Sequence, residues 1–167
     1  IIGNKAYDLY HPDRMSLYLL NNILGGPGMN SLLNLSLRER NGLVYNVESS
    51  FQPMTDTGIW SIYYGCDPEN ERKCEKLVLK TLQKLCDKPF SNKQLDKYKL
   101  QLLGQMAIAS EHKENLALSI GKSFMRYDKI DDLKTVRETI FSIQPEQLHR
   151  ISNEIFNPEQ LSVLKFL

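Results

Sequence analysis

The amino-acid sequence predicts an α+β fold in which several helices are layered on an antiparallel sheet. Two β-rich segments, 43–51 and 58–64, flank a short turn, as is typical of an antiparallel hairpin. Amphipathic helical segments then dominate the chain, and a β-rich segment at 161–167 follows them. Strands, a run of helices and a returning strand together favour the α+β class. With 167 residues, the chain is expected to form a single domain, 1–167, with a sizeable core.

The segment before the hairpin is expected to hold a strand and two helices. Residues 1–10 are interpreted as the end of a strand and a loop. Pro12 is expected in the first turn of a helix that ends at Gly25-Gly26, because proline suits a helix start and glycine a helix end. A second helix is expected over 30–40, followed by a glycine that stops it.

The segment after the hairpin carries two clear helix starts. Asp67 offers a cap acceptor with proline at the first helical position. Ser91 and Gln94 have the spacing of a capping box, in which each side chain bonds the backbone of the other. Further helices are expected over 114–126, 131–140 and 145–156. The apolar segment 161–167 is interpreted as a buried terminal strand.

The charge balance and hydropathy exclude two classes of partner. The 21 Lys and Arg residues nearly match the 20 Asp and Glu residues, and both signs alternate along the predicted helices. Because nucleic-acid binding needs clustered cations to neutralise phosphates, no nucleic-acid partner is expected. No apolar run approaches the roughly 18 residues of a membrane span, so no membrane partner is expected either.

The cysteines are interpreted as reduced, packed thiols. Cys66, Cys74 and Cys86 are odd in number, and their spacing fits neither a zinc ribbon nor a redox Cys-x-x-Cys pair. This favours a reducing compartment, and hence a cytoplasmic over a secreted location.

The sequence contains no self-sufficient catalytic or metal centre. Metal-dependent hydrolysis commonly uses two histidines on one helix face, as in His-x-x-Glu-His. Here His11, His112 and His149 are far apart, the two nearest being separated by 37 positions, so each is interpreted as a surface or capping residue. The chain alone is therefore expected to have no catalytic residue, no metal site and no bound cofactor.

The turn Gly25-Gly26-Pro27-Gly28 leaves two interpretations open. Its amides precede a predicted helix and could bind an anion, which would make the chain an anion-binding module. Because no lysine or strand adjoins the turn, a tight helix-to-helix connection is the favoured interpretation.

Arg38 and Tyr45 are the candidate binding residues. Arg38 lies near the end of the second predicted helix and Tyr45 in the following strand, with a turn at Asn41-Gly42 between them. A guanidinium can hold a peptide carbonyl or carboxylate, and a phenol can stabilise an oxyanion where water is excluded. Taken by themselves, a helix salt bridge for Arg38 and a half-buried strand position for Tyr45 remain the simpler interpretations.

A series of motifs in fixed order resembles one family over nearly the whole chain. The motifs are Ile-Leu-Gly-Gly at 23–26, Met-Asn-Ser at 29–31, Leu-Arg-Glu at 37–39, Gly-Leu-Val-Tyr at 42–45 and Asp-Pro-Glu-Asn at 67–70. Their order resembles the second, zinc-free C-terminal domain of pitrilysin/insulinase-type zinc peptidases (inverzincins), in the branch of the mitochondrial processing peptidase. The resemblance implies the α+β metalloprotease domain fold of that branch.

The resemblance also implies a function. Two similar domains of such peptidases enclose a peptide substrate; the first carries zinc and the catalytic Glu, and the second supplies an Arg and a Tyr. By motif position these are Arg38 and Tyr45, in roles of substrate binding and transition-state support. The chain is thus expected to be a fragment whose N-terminal zinc-bearing domain lies on the same or a partner chain, with a homo- or heterodimer as one arrangement. The parent would be a zinc-dependent metalloendopeptidase.

One position departs from the family pattern. Members commonly have Arg after the Ser of the glycine turn, whereas this chain has Leu32. The change removes a cation and supports an alternative function, that of a catalytically silent partner or assembly subunit that binds peptides or proteins.

Overall fold

The computed structural model describes residues 1–128, 130 and 132–166. It contains two compact units, which are described separately below. Unit 1 comprises Ile1–Phe90 with Gln144–Leu167, and unit 2 comprises Ser91–Ile143. Within the described residues, no helix is both long and apolar enough to span a membrane.

Unit 1 is built on an antiparallel sheet. Its strands are β1 (Ile2–Ala6), β2 (Asn46–Pro53), β3 (Gly58–Gly65) and β4 (Ser162–Val163), in the spatial order β2-β3-β1-β4. The hairpin predicted between the two β-rich segments is confirmed, since Asn46 pairs with Gly65 and Pro53 with Gly58. Strand β2 therefore forms one edge of the sheet.

Three α-helices belong to unit 1: α1 (Arg14–Gly25), α2 (Glu71–Asp87) and α6 (Pro145–Ile155). A π-helix (Asn34–Glu39) lies between α1 and β2, and short 3-10 turns occupy Pro68–Asn70 and Pro158–Gln160. The core joins sheet and helices, and the buried rings of Trp60 and Phe156 lie 4.6 Å apart. The α+β prediction is confirmed.

Unit 2 contains α3 (Asn92–Ser110), α4 (Lys113–Tyr127) and α5 (Leu133–Ser142). The capping box predicted at Ser91 and Gln94 is confirmed at the start of α3. Lys99 is buried on α3, and its Nζ donates to the carbonyl of Phe141 at 2.9 Å. Burial lowers the pKa of this lysine. The predicted start of α5 at Asp131 lies outside the described residues.

Two predicted helix starts differ in part from the structure. Pro12 precedes α1, which begins at Arg14 after Asp13; the Asp13 carboxylate accepts bonds from Gln147 and Arg150 of α6 and does not cap α1. At the second helix start, Asp67 is the N-cap residue before Pro68 as predicted, and its backbone carbonyl accepts the bond from Asn70, but its side chain makes no capping hydrogen bond.

The second predicted helix is a π-helix, since the amide of Arg40 reaches back five residues to the carbonyl of Leu35. Strand β2 begins only at Asn46, so residues 43–45 precede it.

The prediction of a buried terminal strand is also wrong. Within 161–166, only Ser162 and Val163 form a strand, and both are exposed. They pair with β1 at the sheet edge, so one side of this short segment faces solvent. Leu167 lies outside the described residues.

Candidate functional site

A polar cavity of about 310 Å³ in unit 1 is the candidate site. It lies among α1, the π-helix, β2 and the glycine turn, and is lined by Tyr18, Asn21, Asn22, Gly25, Gly26, Pro27, Asn34, Arg38, Asn46, Val47, Glu48 and Ser49. The four residues 46–49 are consecutive, although alternate side chains of a strand point to opposite faces. We infer that the cavity runs along the free edge of β2.

Close packing fixes the wall formed by α1. A Cβ atom on Gly25 would lie only 2.6 Å from the amide nitrogen of Ser49, so a glycine is needed for α1 to approach β2 this closely. Three buried polar side chains reinforce the contact. Asn21 Nδ2 donates to the Ser49 carbonyl at 3.0 Å, Ser49 Oγ donates to Asn21 Oδ1 at 2.5 Å, and Trp60 Nε1 donates to Ser49 Oγ at 3.0 Å. The register of the helix on the strand is thereby set.

The face of α1 that lines the cavity has an informative spacing. Tyr18, Asn21, Asn22 and Gly25 recur at three- and four-residue intervals, which places them on one side of the helix. The first three occupy the spacing of His-x-x-Glu-His, but a phenol and two amides stand in place of the two histidines and the glutamate. In the described part of the chain, no cluster of His, Cys, Asp or Glu is suited to a metal ion.

Arg38 lines the cavity from the π-helix. Its side chain is 51% exposed, and its Nε lies 4.0 Å from Glu39 Oε1. Such a distant, exposed ion pair contributes little stability and leaves the guanidinium available to a ligand. After it, Gly42 adopts φ +58° and donates its amide to the Arg38 carbonyl at 2.8 Å, which turns the chain toward β2.

Tyr45 lies next to the cavity without lining it. Its side chain is 86% exposed, and it directly precedes Asn46, a lining residue. Its hydroxyl makes no hydrogen bond to another described residue. The interpretation of Tyr45 as a half-buried strand residue is therefore wrong. The structure brings Arg38 and the residue after Tyr45 to the same cavity.

The sequence-based prediction missed Tyr18, Asn46 and Glu48. Tyr18 could have been predicted from the sequence. It lies at helical spacing from Asn21, Asn22 and Gly25, so these residues share one polar face of α1 that ends at the glycine turn. No sequence pattern predicts Asn46 and Glu48 as lining residues, since their position in the cavity wall depends on where β2 begins. Leu32 is half-buried and is not among the lining residues.

The glycine turn is a structural connection. Gly25 packs on β2, and the amide of Gly26 donates to the Asn22 carbonyl at 3.0 Å, closing the end of α1. The amide of Gly26, which the anion-binding interpretation requires, is therefore already occupied.

The histidines and cysteines also have structural surroundings. His11 stacks on Tyr7 at 3.8 Å, and His149 Nε2 bonds the Cys86 carbonyl at 2.7 Å. The three cysteines form no disulfide and are buried or half-buried, which confirms that they are packed; their reduced state stays a prediction. Burial, together with a hydrogen bond that the Cys74 thiol donates to Cys66, raises the pKa of Cys74 to about 12.

Comparison with known proteins gives a consistent set of relatives. An uncharacterized zinc protease of Bacillus subtilis, YmxG, is 25% identical over 95% of this chain, which spans 38% of that protein. The crystal structure of a peptidase M16 inactive domain from Pseudomonas fluorescens superposes with a TM-score of 0.80 at 26% identity, covering 96% of this chain and 38% of that one.

A chain of complex III2 from Candida albicans has the same fold, with a TM-score of 0.80 at 16% identity, covering 96% of this chain and 40% of that one. The resemblance to the zinc-free domain of these peptidases is thus confirmed. The matching family model covers residues 1–102 of 167, and the chain belongs to the family described as the peptidase M16 inactive domain.

Proposed function

We propose that this chain is the non-catalytic, substrate-binding half of a zinc-dependent metalloendopeptidase. The carrying observation is that Arg38 and the free edge of β2 border one polar cavity, with the exposed Tyr45 directly beside it. A separate zinc-bearing domain, on the same chain or a partner chain in a homo- or heterodimer, would complete the cleavage chamber. Membership in an inactive-domain family and relatives named zinc proteases support this assignment.

The peptide would bind as an added strand on β2. An exposed strand edge offers main-chain hydrogen bonds, and pockets beside it read alternate side chains of the ligand. The open segment is short, because the carbonyl of Ser49 is already bonded by Asn21. Asn46, Val47 and Glu48 are thus the residues against which the peptide would lie.

Arg38 and Tyr45 would then act on the bound peptide in different ways. The Arg38 guanidinium would donate to a peptide carbonyl or carboxylate and hold the chain in register. The Tyr45 hydroxyl would donate to the oxygen that becomes negatively charged during cleavage, once the partner domain has excluded water. Activation of water is the chemistry that zinc supplies when bound, and it is assigned to the partner domain. A cytoplasmic location belongs to this proposal and is supported by the free thiols.

The test uses the assembled peptidase with the substitution Tyr45→Phe. Loss of the hydroxyl should lower kcat on the order of a hundredfold, because one oxyanion donor is lost. Zinc content and KM should change little. The control Tyr10→Phe removes a hydroxyl from an exposed tyrosine that does not line the cavity, and kcat should be retained. Equal kcat values for wild type and Tyr45→Phe would contradict the assigned role.

Leu32 favours a second candidate, a catalytically silent partner that binds peptides or proteins. The fold is shared with a chain of complex III2, which shows that a similar domain occurs within a large assembly. One measurement distinguishes the silent partner from the peptidase half-domain. An assembled protein that binds peptides but leaves them intact, whatever the residue at 45, would favour the silent partner.

A further inference from the structure

Two opposite charges line the cavity without neutralising each other. Glu48 lies on β2 and Arg38 on the π-helix, and both contribute to the cavity wall. Glu48 is exposed, and its carboxylate makes no hydrogen bond or ion pair with another described residue. The ion-pair neighbour of Arg38 is Glu39, at 4.0 Å. The edge of β2 beside the cavity therefore carries a free, exposed carboxylate, and the cavity has an available guanidinium.

The position of Glu48 on the strand limits what its carboxylate can reach. A peptide added to the edge of β2 would place one residue directly opposite Glu48, with Cβ atoms about 4.5–5.5 Å apart as in any antiparallel pair. The neighbours of that peptide residue would point to the other face. Asn46, which lies two positions before Glu48 on the same face of β2, is uncharged. A charge preference would thus apply to a single residue of the ligand.

We propose that Glu48 is a specificity residue that selects peptides with lysine or arginine at the position opposite it. This inference rests on the proposed function, in which an extended peptide lies along β2. Arg38 holds the backbone or a carboxylate of the same peptide, so the ligand carries a cationic side chain within a few residues of the group bound by Arg38. Opposite charges that face each other directly across two paired strands attract, so a cationic side chain opposite Glu48 should strengthen binding.

A charged residue on a sheet edge can have a role that requires no ligand. Such a charge discourages pairing with strands of other molecules. This use predicts no difference between peptides of opposite charge that depends on residue 48 alone. The two explanations are separated by matched peptides and matched protein variants.

The experiment measures binding of labelled ten-residue peptides to the 167-residue chain by fluorescence anisotropy. The peptides are acetylated and amidated, so that they carry no terminal charge, and consist of threonine and valine with one central Lys, Ala or Glu. Wild type should bind the Lys peptide about two- to fivefold more tightly than the Ala peptide, and the Glu peptide more weakly than the Ala peptide. The preference should fall as salt is raised.

The variant Glu48→Gln should abolish the preference, so that the Lys, Ala and Glu peptides bind it with equal affinity. Its control is Gln52→Lys, which changes net charge by the same amount on the same exposed side of β2 but outside the cavity. That control should keep the order of the three peptides.

Binding of all three peptides with equal affinity, weakened by Arg38→Ala, would overturn the role of Glu48 and leave the proposed function intact. A Lys preference that survives Glu48→Gln would also overturn it. If none of the peptides binds, peptide binding at β2 is refuted, and the role of Glu48 with it.

Discussion

At the scale of single residues, Ser49 forms the buried hydrogen bonds that join α1 to β2 at the candidate site. Its hydroxyl and carbonyl bond Asn21, and its hydroxyl also accepts from Trp60. All three side chains are buried, with exposures of 8% for Asn21, 8% for Ser49 and 0% for Trp60. A buried polar group that loses its partner keeps the cost of its lost hydration. The Ser49 hydroxyl therefore stabilises both the core and the cavity wall.

The substitution Ser49→Ala should lower the free energy of unfolding by about 1–3 kcal/mol, because Trp60 Nε1 and Asn21 Oδ1 lose their partner. Urea denaturation checks this, and the fluorescence of Trp60, the single tryptophan, reports the local change. The control Ser50→Ala alters a half-buried serine next in sequence and should have little effect. Equal effects of the two substitutions would contradict the network.

The candidate residues differ in how far the sequence could predict them. Arg38 and Tyr45 are candidates from sequence alone because the motifs around them are local and closely spaced, and their roles stay a proposal. Glu48 could not, because its place in the cavity depends on where β2 begins and on the contact between Gly25 and Ser49. These are distant in sequence, and periodicity carries no signal of which strand residue a helix will touch.

At the scale of elements, the closeness of α1 and β2 depends on the absence of a side chain at position 25. The structure offers a matched position in Gly104 of α3, where an added Cβ would meet nothing within 4 Å. Gly25→Ala should lower the free energy of unfolding by about 1–3 kcal/mol through overpacking. Gly104→Ala should raise it by about 0.5–1 kcal/mol, because alanine has the higher helix propensity.

Thermal or urea denaturation of both variants checks the comparison. A Gly25→Ala protein as stable as wild type would show that α1 can move away from β2 at no cost. Peptide binding by that variant would then tell whether the cavity depends on the contact.

Local signals predicted helix starts unevenly. The capping box at Ser91 was predictable because both partners lie within four residues. Asp13 and Asp67 have the same chemistry, yet neither caps a helix with its side chain. For Asp13 the reason is Arg150, whose NH2 lies 2.7 Å from its carboxylate but 137 positions away in sequence. A long-range partner therefore replaced the local one.

The π-helix was beyond sequence prediction for a related reason. Its hydrophobic spacing, with buried Leu33 and Leu37, suits an α-helix equally well. The chain after the π-helix folds back on its last turn, where the Leu43 amide donates to the Leu37 carbonyl and the Gly42 amide to the Arg38 carbonyl. These bonds involve residues beyond the helix, so the spacing of its own apolar residues does not predict the π geometry.

At the scale of the whole molecule, the two units differ in how they use their helices. Most residues of α1 in unit 1 are buried, whereas no residue of α4 in unit 2 is. Backbone amides in a helix with few buried contacts open more readily. We expect amide hydrogen exchange in α4 to be about a hundredfold faster than in α1. Mass spectrometry of the isolated chain tests this, and equal protection of the two helices would contradict it.

The α+β class was predictable because it needs only the order and type of the elements. The two units were not, because their boundary at Ser91 looks in sequence like any other helix start. The apolar side chains of α4, such as Leu118 and Met125, are exposed, whereas an apolar stripe on a helix predicts burial.

The free edge of β2 has a consequence for the chain in solution. A strand that accepts a peptide through its backbone can also accept the same strand of a second copy, which would make the chain dimerise as its concentration rises. Bound peptide would then compete with self-association, and apparent affinities would weaken in concentrated samples. Glu48 would oppose the dimer, since pairing two β2 edges brings two carboxylates onto one short segment. The same side chain would thus admit a cationic ligand and keep the copies apart.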